Sequence, residues 1–299
     1  MNYRIINKSF LIIFFIFLID KKIKNSDKIC LCTTGKRENL YVREYIEHYQ
    51  NYGVDKIFIY DNNDVNGEKF EDVINDYINN RFVEIINYRG LLSPQIKGYN
   101  DCLKKNYKLY KWLIFYDMDE FIYLKDFNNI KDFLNNDKFN KCQRIQLNWI
   151  FHTDNNNLHY DNRKLAIRFP KKEKTNQIIY QGIKSILRGR INIKINNVHT
   201  LSSQLISCNG FGQKIENKTI ETNITDFHYY YIDHYYSKST EEFLNKLKRG
   251  SAVHGFNILH LVMRIRVYFQ INEITKEKLD YIEKEIKLNM SEFRNRIIK

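Results

Sequence analysis

The chain has 299 residues, enough for one large domain or a domain with an appendage, and its 43% hydrophobic content supplies a core. Its net charge of +13 favours anionic partners, although a Lys-rich composition alone accounts for most of that excess. The basic residues form no long run, and no arginine-rich arm, zinc-finger spacing or aromatic RNP-like motif occurs, so nucleic-acid binding is a weak alternative.

The N-terminus opens on an apolar run from Phe10 to Ile19, preceded by Arg4 and Lys8 and followed by Asp20, Lys21, Lys22 and Lys24. A membrane-spanning helix needs roughly 20 apolar residues, about twice this length. The run fits a signal-peptide core, but no small-residue cleavage site follows it. A short signal-anchor, a signal peptide and a first buried element are the three readings. The favoured expectation is an anchor or signal segment over residues 1–27, with a membrane-associated protein in the secretory pathway. Sequons at Asn217, Asn223 and Asn289 fit a lumenal domain, though an Asn-rich chain produces some by chance.

From residue 28 the chain alternates. Residues 28–34 read as a buried strand. Residues 37–52 follow with helical period, Leu40, Tyr41, Tyr45, Ile46 and Tyr49 forming one stripe that ends at Gly53. Residues 54–60 are a second strand, closed by the polar turn Asp61-Asn62-Asn63-Asp64. A helix over 70–78 and a strand over 82–88 come next. Ser93 is the expected N-cap of a further helix, with Pro94 at its first position, running to about Tyr107. Residues 111–116 form a fourth strand that ends on Asp117. Such alternation predicts an α/β fold with a doubly wound, mostly parallel sheet. Ligands in these sheets sit beyond the carboxyl ends of the strands, where Thr33-Thr34, Asp61, Tyr88-Arg89 and Asp117-Met118-Asp119 gather.

Beyond Asp119 the pattern changes. Residues 144–151, 164–169, 184–187 and 191–195 read as strands without long helices between them, giving mixed strands and helices in the C-terminal part. Gly210 and Gly212 mark a loop. Ser239 and Glu242 form a capping box at the start of a helix over 239–248, and a charged helix covers 275–297. The expected organisation is an N-terminal segment 1–27, a domain 28–260 and a helical extension 261–299.

Asp117 and Asp119 stand at the end of an apolar strand, and carboxylates so placed bind a hard divalent cation. The cation would neutralise a diphosphate leaving group. A polar turn after a core strand is the plain alternative. A haloacid-dehalogenase-like phosphatase presents a similar Asp-x-Asp, but on its first strand and with a later acidic pair that this chain lacks. His234, and after it His199, is the candidate third ligand, against a purely structural role for each. Five cysteines (Cys30, Cys32, Cys102, Cys142, Cys208) fit no zinc spacing; buried free thiols are the expectation, with a single disulfide as the alternative. Cys30 and Cys32, two apart on a strand, share a face.

Several ordered blocks resemble glycosyltransferase family 92 and related family-2-like transferases. The first runs from Thr34-Gly-Lys-Arg-Glu38 through Tyr45-Ile-Glu-His-Tyr49 to Asp61-Asn-Asn-Asp64. The second joins Gln95 and Tyr99-Asn-Asp-Cys102 to Trp112 and Asp117-Met-Asp119-Glu-Phe121. The third takes in Asn148-Trp149, Lys184-Ser185-Ile186, Val198-His199 and His234-Tyr-Tyr-Ser-Lys-Ser239 through Arg249-Gly250. Together they cover residues 28–250. The resemblance implies a GT-A fold and a metal-dependent, inverting transfer of a hexose, galactose favoured, from a UDP-sugar to a glycan or other hydroxyl acceptor. It implies Mn²⁺ or Mg²⁺ held by Asp117, Asp119 and His234, and nucleotide-sugar contacts from Thr33, Glu38, Asp61, Gln95 and Asp117. Asp154, after the Trp149 strand, is the expected general base. The family's Gly-rich segment there is replaced by His152-Thr-Asp-Asn, and its usual Lys-Asn-Glu opening by Lys36-Arg37-Glu38. A non-catalytic, glycan- or nucleotide-sugar-binding relative is the alternative from a different class.

Overall fold

The computed structural model describes residues 27–173, 182–215, 228–250, 253 and 257–297. The alternation expected of the first half is present. Strands β1 (Ile29–Gly35), β2 (Lys56–Asp61), β3 (Val83–Asn87) and β4 (Trp112–Phe115) are separated by helices α1 (Val42–Asn51), α2 (Glu71–Asn79) and α3 (Gln95–Asn106). All four strands pair in parallel in the order β3-β2-β1-β4. The chain leaves β1 toward β2 and β3 on one side, then returns to place β4 on the other. A crevice opens at this switch point, between the carboxyl ends of β1 and β4.

The second half widens the sheet. It adds β5 (Glu120–Leu124), β6 (Arg144–Phe151), β7 (Ile183–Arg188) and β10 (Tyr230–His234), extending the order to β3-β2-β1-β4-β7-β6-β10-β5. β7 runs antiparallel to β4 and β6, and β10 runs parallel to β6 and antiparallel to β5. Two short strands, β8 (Ser207–Cys208) and β9 (Lys214–Ile215), attach to β6. The carboxyl ends of β4, β6 and β10 and the amino ends of β5 and β7 therefore share one edge. This is the α/β architecture expected for the GT-A fold.

Strand alternation divides the core. Leu31, Ile57, Ile59 and Ile114 face α1 and α2, packing on Tyr45, Tyr49 and Ile74. Cys30, Cys32, Phe58, Tyr60 and Phe115 face α3, packing on Tyr99, Cys102 and Leu103. Each large side chain so buried stabilises the fold by about 1.5–3 kcal/mol.

Several expectations need correction. Residues 164–169 form a short helix, α5 (Leu165–Arg168), after the short helix α4 (Ile130–Leu134). A short apolar run does not distinguish strand from helix by period. Residues 191–195 pair with no strand; their alternation drops Ile191, Ile193 and Ile195 onto the α3-side core. Ser93 does not cap α3. It sits at φ +50°, and Pro94 takes the cap position without a side-chain hydrogen bond. The cysteines are not all free: Cys32–Cys102 and Cys142–Cys208 are disulfides, closing separations of 70 and 66 residues, and Cys30 alone is a buried thiol. Cys30 and Cys32 do share a face, and it is this face that brings Cys32 against Cys102 of α3.

The capping box of Ser239 and Glu242 opens α6 (Thr240–Arg249) as expected. After it come α7 (Ile258–Ile271), which runs across the boundary expected at residue 260, and α8 (Lys276–Ile297). The apolar N-terminal run and the sequons at 217 and 223 lie outside the described residues, as does the side chain of Asn289. No helix among the described residues is long and apolar enough to cross a membrane.

Candidate active site

Strands, helices and loops from both halves of the chain deliver charged side chains to the shared edge. β4 ends at Phe115, and the tight turn through Asp117 to Asp119 leads into β5. Gly35, at the end of β1, lets this turn close: an added Cβ would lie 2.7 Å from Met118 Cε and 2.6 Å from Phe70 Cζ. The Asp117 amide donates to Glu120 Oε2 at 2.8 Å, and the Tyr235 amide donates to the Asp119 carbonyl at 2.9 Å, which fixes the turn against β10.

Asp117 is held from two sides. Lys184, wholly buried on β7, places Nζ 2.8 Å from Asp117 Oδ2 and 3.6 Å from Glu120 Oε2. Gln95 Nε2 and the Tyr99 hydroxyl, both from α3, donate to Asp117 Oδ1. Burial opposes ionisation of Asp117, but the Lys184 ammonium outweighs it and holds the carboxyl below its usual range. Glu120 is pushed the other way. Burial and the two nearby aspartates raise it well above the usual carboxylate range despite Lys184.

Asp119 lies beside α6. Lys246 Nζ is 2.6 Å from Asp119 Oδ2 and donates to the Tyr236 carbonyl at 3.0 Å. His234 Nε2 is 3.6 Å from the same carboxylate oxygen. Burial again opposes the charge, and Lys246 with His234 overcomes it, so Asp119 is held well below the normal range. His234 is packed against Trp149, Phe151 and Tyr236, with ring centroids 4.6, 5.1 and 5.6 Å away. This burial lowers its pKa against the pull of Asp119, keeping the ring neutral at pH 7. His199 is also desolvated, down to about 4, and packs on Trp149.

Glu38 stands across the crevice. Arg249 Nη1 bonds its Oε1, and Lys238 Nζ is 3.1 Å from its Oε2. Burial resists ionisation of Glu38, and these two cations prevail and lower it. Arg264 of α7 donates to the carbonyls of Lys246 and Gly250, closing the cluster. Five cations (Lys184, Lys238, Lys246, Arg249, Arg264) thus meet three carboxylates held ionised (Glu38, Asp117, Asp119). A surplus of positive charge in a low-dielectric crevice binds a polyanion.

The sequence candidates fall into two groups. Glu38, Gln95, Asp117, Asp119 and His234 are brought together. Asp61 reaches the same edge, but both its oxygens are taken: Arg89 Nε lies 2.8 Å from Oδ2, and the Asn63 amide donates to Oδ1 at 2.9 Å. Thr33 is wholly buried beneath the sheet edge, on the α1 face with Leu31, so it does not face the crevice. Asp154 is the clearest correction. It is 1% exposed and pairs at 2.8 Å with the buried Lys278 of α8. It accepts a hydrogen bond from the Tyr268 hydroxyl at 2.7 Å, and its amide donates to Asn272 Oδ1. A carboxylate so enclosed meets no acceptor; it ties the β6 loop to α7 and α8.

Sequence reasoning gave no role to Lys184, Lys238, Lys246 or Arg249. In so Lys-rich a chain a single lysine carries no signal, and Lys246 reaches Asp119 from 127 positions away.

The donor chemistry suits a divalent cation: two ionised carboxylates and a neutral imidazole whose buried Nδ1 has no hydrogen-bond partner. Among the described residues no three His, Cys, Asp or Glu side chains already converge on one point. Lys246 occupies the Asp119 oxygen that a cation would take.

The family model for glycosyltransferase family 92 matches residues 28–287. The chain belongs to glycosyltransferase family 92. Relatives include family 92 proteins of Oryza sativa subsp. japonica, 29% identical over 117 residues, and Arabidopsis thaliana, 32% identical over 112 residues. These matches cover 38% and 35% of this chain but only 19% and 18% of the relatives, so the chain spans about a fifth of their length. Among solved structures, Staphylococcus aureus TarS residues 1–349 in complex with UDP-GlcNAc gives a TM-score of 0.39 at 13% identity, covering 81% of this chain and 71% of that one.

Proposed function

We propose that the chain is a glycosyltransferase that moves a hexose from a nucleotide-sugar donor to a hydroxyl acceptor. The observation that carries this reading is the cationic crevice at the β1/β4 switch point, with Asp117 and Asp119 at its floor. A nucleoside diphosphate supplies the anionic charge that the crevice lacks. Family membership favours the same chemistry, and UDP-galactose is the first donor to test.

Asp117, Asp119 and His234 would hold Mn²⁺ or Mg²⁺. Such an ion neutralises charge on the departing diphosphate. The chain's own cations share that task. Arg249 and Lys238 are fixed by Glu38, so their geometry is set before the donor arrives, and prepositioned charge is the effective kind. Lys184 holds Asp117 in its ionised form. Tyr99 and Gln95 orient that carboxylate, and burial of Glu120 beside the two aspartates disfavours a third negative charge at the turn. An inverting displacement then requires a base opposite the leaving group.

The same reading takes residues 1–27 as a membrane anchor and the domain as lumenal. The two disulfides support an oxidising compartment. Deleting residues 1–27 should release the protein from membranes; unchanged membrane association would contradict the anchor.

The decisive test of activity is a screen of nucleotide sugars, read as released nucleotide, with and without Mn²⁺. Release from one or a few donors, lost in Asp119→Asn, is expected. No release from any donor, with folded protein and intact metal, would favour a non-catalytic binding role.

A further inference from the structure

We propose that Glu173 is the general base of the transfer, an assignment that rests on the glycosyltransferase reading above. Its position follows from backbone register. His152 bridges Lys172 in antiparallel fashion, with the Thr153 amide donating to the Lys171 carbonyl at 2.9 Å and the Glu173 amide donating to the Phe151 carbonyl at 2.8 Å. Residues 171–173 therefore extend the sheet beside the carboxyl end of β6. They lie on the edge of β6 that β7 occupies lower down, where the Trp149 amide donates to the Gly182 carbonyl.

Side chains alternate along such a segment. Lys172 and His152 share one face, and both reach Asp233, at 2.9 and 2.7 Å. Glu173 consequently stands on the opposite face, with Phe151. That is the face of His234, which is in register with Phe151 on β10. Glu173 thus projects on the side of the sheet that carries Trp149, Phe151 and His234, above the amino end of β7 and its Lys184. It overlooks the space between the carboxyl ends of β4 and β6, where a donor's sugar and an approaching acceptor would meet.

The surroundings suit a base. Phe151 pairs with Glu173 across the bridge, and Trp149 lies two residues along on the same face of β6. The charged groups on the packed elements are already engaged: Lys172 with Asp233, His152 with Asp233, Lys184 with Asp117, and His234 faces Asp119. Among the described residues no cation lies within ion-pair distance of Glu173. Half-burial without a counter-ion raises its carboxyl to about 7, near the value that serves proton abstraction at neutral pH.

The step balances. The acceptor oxygen forms a bond to the anomeric carbon as the bond from that carbon to the diphosphate oxygen breaks. The electron pair leaves with the nucleoside diphosphate, and the acceptor's proton passes to the Glu173 carboxylate. Asp154, enclosed by Lys278 and Tyr268, takes no part.

Three measurements on the full chain test this. Titration of protein labelled with carbon-13 at the glutamate carboxyls should show one resonance with its midpoint near 7, absent from Glu173→Gln. Nucleotide release, to water or to an acceptor, should fall by about 100-fold or more in Glu173→Gln, lose its inflection near neutral pH and recover in part in Glu173→Asp. UDP binding with Mn²⁺, by calorimetry, should stay within about twofold of wild type, because a base touches the acceptor and not the nucleotide. The assignment is overturned if no glutamate resonance titrating between about pH 6 and 8 disappears in Glu173→Gln, or if Glu173→Gln keeps more than about a third of the rate. Failure of the wild-type protein to bind UDP would instead sink the donor-site reading, and the base assignment with it, whereas UDP binding with an unaffected Glu173→Gln rate overturns the base assignment alone.

Discussion

Lys246 Nζ lies 2.6 Å from Asp119 Oδ2, joining the middle of α6 to the turn after β4 across 127 residues of chain. The contact brings the acidic floor of the crevice and its basic wall into one buried unit. Replacing Lys246 by Met keeps the length of the side chain and removes its charge. Asp119 then loses its strongest partner, and its pKa rises toward the usual carboxylate value. A charge-assisted contact to a bound diphosphate is lost as well, so UDP affinity should fall by about 10- to 100-fold. Isothermal calorimetry measures it; affinity within about twofold of wild type would remove Lys246 from the binding site.

Glu120 gives a stability signature with a definite sign. Its carboxyl is raised in the folded protein by burial, so the native state binds the proton more tightly than the unfolded chain. Its contribution is full below the unfolded value of about 4.3 and is lost as pH rises from there toward the folded value. Glu120→Gln removes this titration. Urea unfolding between about pH 5 and 8 should show the wild type losing stability relative to the variant as pH rises. Parallel curves for the two proteins would show that Glu120 is ionised in the fold.

Asp119 carries the opposite sign. Its carboxyl is depressed, so its stabilising contribution is present at neutral pH and is lost as pH falls below about 4, through the folded value. Wild-type stability should therefore drop on acidification more steeply than that of Asp119→Asn, measured by the same unfolding series. Equal acid sensitivity would contradict the buried Asp119–Lys246 pair.

Asp154 is expected to matter for folding and not for chemistry. Asp154→Ala leaves the buried Lys278 ammonium without its carboxylate, a loss of about 3–5 kcal/mol for an enclosed pair. The midpoint of urea unfolding should fall, while the folded variant keeps its UDP affinity. A variant of undiminished stability would place Asp154 in a more open setting than its 1% exposure.

The disulfides Cys32–Cys102 and Cys142–Cys208 close long loops, and constraint of the unfolded chain is worth roughly 4 kcal/mol for each. Peptide mapping without reductant should recover both linked pairs and a free Cys30. Double Cys→Ala replacement of either pair should lower the stability measured in urea. Five free thiols in protein secreted by an oxidising host would contradict the pairing.

The parts of the fold written in local sequence were legible before the structure. β1 to β4 alternate with amphipathic helices such as α1, whose stripe residues Tyr45, Ile46 and Tyr49 are buried as the period predicts, while Leu40, before the start of the helix, is exposed. Asp117 and Asp119 were readable because an apolar strand stops at them. What local pattern does not encode was missed. β10 joins β6 and β5 only through long-range pairing, and Cys32 meets Cys102 only once α3 packs on β1. Asp154 looked available because it follows a strand, yet α7 and α8 return more than 100 residues later to enclose it. The basic wall received no role for the same reason, although Lys184, Lys238 and Arg249 stand in the blocks that carry the family resemblance. Lys184, Lys238, Lys246 and Arg249 are four positively charged residues among 48 until the sheet edge assembles them.

The central claim is that the Asp117–Asp119 turn is the floor of a nucleotide-sugar site. Calorimetric titration of UDP into the wild-type chain, with Mn²⁺ and then with EDTA, beside Asp117→Asn and Asp119→Asn tests it most directly. Metal-dependent binding by the wild type, weakened by about tenfold or more in each folded variant, is the expected result. Metal-dependent UDP binding of unchanged affinity in both variants would contradict it.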